Sequence, residues 1–110
     1  MNSLLNLSER YMAAFGAKDL EAVAAFLDEQ FVLTDPAGTF TGKATVLDYI
    51  AGIFGSVESL DFRARNIFVD ENAGVSVIEF TLQIGDKALV GTDVVEWEGE
   101  KMRALRAYLY

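Results

Sequence analysis

The sequence predicts an α+β domain, a curved mixed or antiparallel sheet with helices over one face, in the order ααβαββββ. Three observations carry this. Apolar residues fall at helical spacing near the start and again before the midpoint. The second half alternates apolar and polar residues in runs broken by three short turn clusters. The chain is 52% hydrophobic over 110 residues, enough for one core and one domain spanning 1–110.

Each element has a local cause. Ser3 can cap a first helix to about Phe15, with Leu4, Leu7, Tyr11, Ala14 and Phe15 on one side. Gly16 breaks it, and Asp19 recaps a short helix from Leu20 to about Leu27. Phe31 to Asp35 reads as a strand that Pro36-Ala37-Gly38 turns. Thr41 or Gly42 opens a third helix through Val46, Leu47, Ile50, Ile53 and Phe54, ending near Gly55. Strands then run near Ser59–Val69, Val75–Ile84, Ala88–Trp97 and Lys101–Tyr110. The late strands carry apolar residues on both faces. Ile78, Phe80 and Leu82 oppose Val75 and Val77, while Leu105, Ala107 and Leu109 oppose Met102, Ala104 and Tyr108. Helices can cover one face, which leaves the other for a second subunit and predicts a homodimer.

Composition removes whole classes of chemistry. Without cysteine there is no disulfide framework, thiol nucleophile or thiolate metal site. Without histidine there is no imidazole base and no Ser/His triad, so proton transfer falls to carboxylates, Tyr or Lys. The net charge of −8 has the wrong sign for nucleic acid or anionic lipid. No apolar run is long enough to span a membrane, and the start lacks the basic flank of a signal peptide, so a cytoplasmic location is expected.

Three side chains stand out as candidates. Asp35 lies at period 2 from Phe31 and Leu33, which aims it at their apolar face, although Asp before Pro-Ala-Gly also starts a turn by binding nearby N–H groups. Alternation groups Asp93 with Leu89, Gly91, Val95 and Trp97. On that face an unpaired carboxyl would stay protonated and donate a hydrogen bond; the competing reading pairs it with Arg103 or Arg106 of the next strand. Tyr11 sits on the apolar stripe of the first helix, where its hydroxyl needs a partner, often a backbone carbonyl.

Other signals fail. Gly38-Thr39-Phe40-Thr41-Gly42-Lys43 is one residue short of a phosphate loop, and Ala44 follows the Lys. Glu96, Glu98 and Glu100 read as a solvated edge rather than a metal site.

Together, Arg10-Tyr11-Met12, Gly16 to Glu21, Thr34-Asp35-Pro36-Ala37-Gly38, Gly91-Thr92-Asp93-Val94-Val95 and Arg106-Ala107-Tyr108 resemble the ketosteroid isomerases. These belong to the nuclear transport factor 2-like superfamily, alongside the SnoaL-like polyketide cyclases. The resemblance runs from the first helix to the last strand. It implies a cone-shaped fold with helices on the concave face, a homodimer, no cofactor and no metal, and a deep pocket for a small apolar carbonyl-containing ligand. It also implies Asp35 as general base, with Tyr11 and a protonated Asp93 as oxyanion donors, an arrangement in which a neutral aspartic acid donates a hydrogen bond. The same chemistry can serve an aldol-type cyclase, and related folds include non-catalytic binding modules. Leu27 and Gly52 stand near the places where some relatives carry supporting tyrosines, with Tyr49 about one turn from the second. The Arg-x-Asp arrangement expected of a limonene-epoxide-hydrolase relative is absent, because Gly91 stands two residues before Asp93.

Overall fold

Ser3 accepts a hydrogen bond from the Asn6 backbone N–H at 3.1 Å and starts helix α1, Leu4–Gly16. The computed structural model describes residues 2–110. Asp19 caps helix α2, Leu20–Ala24, by accepting from the Ala22 N–H at 3.0 Å. Strands β1, Leu27–Asp35, and β2, Gly38–Thr41, form a hairpin, and helix α3, Lys43–Ser56, follows. The chain then runs through β3, Leu60–Asp70, β4, Val75–Ile84, β5, Lys87–Glu98, and β6, Lys101–Leu109.

These strands form one six-stranded sheet in the order β2-β1-β6-β5-β4-β3. The pairing of β1 with β6 is parallel and every other pairing antiparallel, so the sheet is mixed. Register shifts in the β3–β4 and β5–β6 ladders mark bulges, which bend a sheet and increase its twist. Helix α1 lies on β3 and β4, and α3 lies on β1 and β2. The core fills the space between, built on Val23, Phe31, Val46, Ile78, Val95 and Met102.

The α+β class is as the sequence predicts, but the order is ααββαββββ rather than ααβαββββ. The additional strand is β2, whose four residues pair Gly38 with Asp35 and Thr41 with Val32. Gly38 itself adopts φ 138°, open to glycine, so the turn that stops β1 also starts its partner. Helix α2 is shorter than expected: Leu27 belongs to β1, opposite Met102. Closure of α1 uses Lys18 at φ 56° as its left-handed residue, with Gly16 still helical.

Simple alternation also misplaces Met102. The β5–β6 register gives Arg103 no partner of its own, so Met102 and Leu105 both turn inward, and Met102 is fully buried. On the outer face Phe68, Val90 and Tyr108 are exposed, with Phe68, Val77 and Val94 side by side across β3, β4 and β5.

Candidate functional site

Between the helices and the sheet lies a cavity of about 210 Å³, lined almost wholly by aliphatic and aromatic side chains. Its ionisable groups are Tyr11, Asp35, Tyr49 and Asp93. All three residues singled out in the sequence therefore meet at one space, although they come from α1, β1 and β5.

Tyr11 is set in place from one turn earlier on α1. Ser8, fully buried, donates to Ser76 Oγ of β4 at 2.8 Å, and Trp97 Nε1 of β5 donates to the same oxygen at 2.9 Å. This small network satisfies every buried polar group it contains and fixes the helix's position against the sheet. Its members were not singled out in the sequence. A serine on a helix stripe and one inside a strand become a pair only when the two elements pack.

Asp93 is 4% exposed, and the two arginines that follow it on the next strand are engaged elsewhere. Arg103 pairs with Glu98, and Arg106 with Glu96, on the opposite face. The sheet's alternation explains this, since Asp93 points inward while Arg106 lies across from the outward Val94. Burial pushes the Asp93 carboxyl up to about 7, because the charged form is poorly solvated there. Burial, followed by the charge of Asp93, pushes the Tyr11 hydroxyl far above its ordinary range, so it remains a proton donor at neutral pH. Among the described residues neither group makes a hydrogen bond, yet no sealed polar side-chain atom lacks a partner. Both therefore present their oxygens to the cavity they line.

Asp35 lies half-buried in the cavity wall, where β1 turns into β2. Its Oδ1 accepts from the Ala37 N–H at 2.8 Å, the turn contact that Asp-Pro-Ala-Gly chemistry predicts. Its Oδ2 accepts from the Tyr49 hydroxyl at 2.6 Å. The turn and pocket readings of this residue are thus compatible. Partial burial and then the hydrogen bond and charge of Asp35 push the Tyr49 hydroxyl up to about 12. The Tyr49 ring stacks on Phe40 of β2, with centroids 4.1 Å apart and planes 17° apart. The hairpin strand absent from the sequence-based order therefore helps hold the tyrosine that holds Asp35.

Leu27 lines the cavity, whereas Gly52 is exposed on α3. Tyr49 bonds Asp35 instead of supporting Tyr11. Among the described residues no group of three or more His, Cys, Asp or Glu side chains could hold a metal ion, and no helix is long and apolar enough to cross a membrane.

The class to which this fold belongs is the nuclear transport factor 2-like one. A nuclear transport factor 2-like protein of unknown function from Cytophaga hutchinsonii superposes with a TM-score of 0.87 at 13% identity, over 100% of this chain and 92% of its own. A protein with a ketosteroid isomerase-like fold from Catenulispora acidiphila, solved with trimethylamine, gives 0.83 at 15% identity, over 96% and 86%. A protein provisionally named a SnoaL-like polyketide cyclase from Shewanella denitrificans gives 0.81 at 14%, over 96% and 89%. At such identities the likeness concerns the fold. Within that class, the chain belongs to the SnoaL-like domain family, whose model matches residues 8–105. Among curated proteins nothing matches the chain.

Proposed function

We propose that this protein transfers a proton next to the carbonyl of a small apolar substrate and thereby moves a double bond, as a ketosteroid isomerase does. One observation supports this above all: a hydrogen-bonded carboxylate at Asp35 and an unpaired, buried carboxyl at Asp93 line the same apolar cavity as Tyr11. Two acids in such different surroundings suit opposite roles.

Asp35 removes a proton from the carbon beside the carbonyl, and the electron pair left behind moves onto the carbonyl oxygen. The Tyr11 hydroxyl and the neutral Asp93 carboxyl donate hydrogen bonds to that oxyanion in a site of low dielectric. The oxygen's electron pair then reforms the carbonyl, the pair shared with the α-carbon becomes the α,β double bond, and the β,γ π pair takes the proton back from Asp35 at the γ-carbon. Nothing is consumed, so the scheme requires no cofactor. We take residues 1–110 to act as one unit within a cytoplasmic homodimer joined through the outer sheet face. The exposed Phe68 and Tyr108 support that interface, and light scattering at twice the mass of one chain tests it.

The family match favours a second reading, an aldol-type cyclase, in which the same enolate attacks another carbonyl of one polyketide chain. Double-bond migration in β,γ-unsaturated ketones tests the first reading, followed by ultraviolet absorbance with wild type and Asp35→Asn. Turnover by wild type that falls about 10²-fold or more in Asp35→Asn is expected. Equal rates would remove Asp35 as base. Binding of these ketones with no turnover would leave the cyclase or a non-catalytic binding module.

A further inference from the structure

We propose that the cavity selects carbonyl compounds built on a single ring and excludes four-ring steroids, with Phe80 setting the limit. This rests on the proton-transfer reading of the same site.

Pockets for drug-sized ligands occupy about 300–1,000 Å³, and an apolar cavity of about 150 Å³ accommodates benzene. At about 210 Å³, the space suits one substituted ring, not a fused skeleton of four.

Phe80 narrows that space from the sheet side. Gly91 faces the interior of β5 two residues before Asp93 and opposite Phe80 of β4. A Cβ at Gly91 would lie 2.8 Å from Phe80 Cζ, 3.0 Å from Leu109 Cδ2 and 2.4 Å from the Tyr108 carbonyl oxygen. The Phe80 ring thus fills the room that the missing side chain leaves, next to Asp93 along the cavity wall. It is braced as well. Phe80 meets Phe62 edge-on at 5.1 Å, Phe62 meets Phe15 at 5.4 Å, and Phe15 meets Phe54 edge-on at 5.0 Å. This row of rings runs from the sheet across α1 to α3, so Phe80 cannot swing aside without moving its neighbours.

The apolar lining offers polar contacts only through the four ionisable groups, so the ligand is hydrocarbon apart from its carbonyl function.

The test compares two probes on the whole chain: β,γ-cyclohexenone and a β,γ-unsaturated steroid ketone. Isomerisation rates are read by absorbance and binding by calorimetry, with the saturated ketone of each skeleton. The one-ring probe is expected to give the higher kcat/KM and the one-ring ketone the tighter binding. A steroid preferred in both measurements overturns the size assignment while leaving the proposed reaction intact. If neither probe is turned over, the reaction fails, and the binding order alone still decides the size. Phe80→Leu and Phe80→Ala should each improve steroid binding by about tenfold or more, with one-ring binding changed by less. Phe80→Leu keeps most of the core volume and guards against loss of fold. Steroid affinity unchanged in both folded variants would remove Phe80 as the determinant.

Discussion

Asp35 and Asp93 are the same side chain in two settings. Asp35 stands half-buried at a hairpin corner, with an N–H and a phenol hydroxyl donating to its two oxygens. Asp93 stands in the middle of the sheet, 4% exposed, with the nearby arginines turned to the other face and committed to Glu96 and Glu98. Donors stabilise a carboxylate, whereas burial without a cation stabilises the neutral acid. The corner therefore suits a proton acceptor and the wall a proton donor. What differs is the number of donors and the amount of water that the backbone allows each to meet.

The comparison breaks most visibly in activity. Asp93→Ala should lower kcat/KM by about 10²–10³-fold, the usual loss for one oxyanion donor, while Asp93→Asn retains a donor and falls less. Steady-state kinetics on the responsive ketone read both, and equal losses would deny Asp93 a hydrogen-bonding role.

Stability gives the next effect. Gly91→Ala places a methyl group against the Tyr108 carbonyl and the Phe80 ring, which should cost about 1–3 kcal/mol in urea unfolding. Thr39→Ala at the exposed hairpin should change stability by no more than about 0.5 kcal/mol. Similar midpoints for the two would mean that the sheet wall yields as readily as the corner.

pH sharpens the contrast further. The folded Asp93 carboxyl is pushed up to about 7, above its unfolded value, so the protonated form favours the fold. This contribution is fully present below the unfolded value, about 3.9, and is lost as pH rises to about 7. Wild type should thus lose stability between pH 4 and pH 7 through this group, and Asp93→Asn should lack that component. The same proton predicts an alkaline fall in kcat/KM near pH 7, absent from Asp93→Asn. A wild-type profile flat across that range would contradict a donor at Asp93.

The smallest effect is spectroscopic. Partial burial, and then the hydrogen bond to Asp35 and its charge, push the Tyr49 hydroxyl up to about 12. Removing that charge with Asp35→Asn should return part of the tyrosinate absorbance transition toward the ordinary value of about 10, leaving the share due to burial. No change would mean that the 2.6 Å contact contributes nothing in solution.

By itself the sequence determined the α+β class, the caps at Ser3 and Asp19, and the period-2 alternation that turns Asp93 inward. It did so because caps, turns and alternation are local rules, satisfied within a few residues. Which face Arg106 took, and so whether it met Asp93 or Glu96, depended on the register of β5 against β6. Tertiary structure alone decided the rest. A single unpaired residue, Arg103, reversed the face of Met102. The parallel pairing of β1 with β6 placed the Asp35 corner beside the Asp93 wall. Packing of α3 on the hairpin brought the Tyr49 hydroxyl to Asp35, and packing of α1 on β4 brought Ser8 to Ser76. The last three join residues of separate elements, where the spacing of side chains along the chain no longer dictates their distance and only the fit of whole elements does.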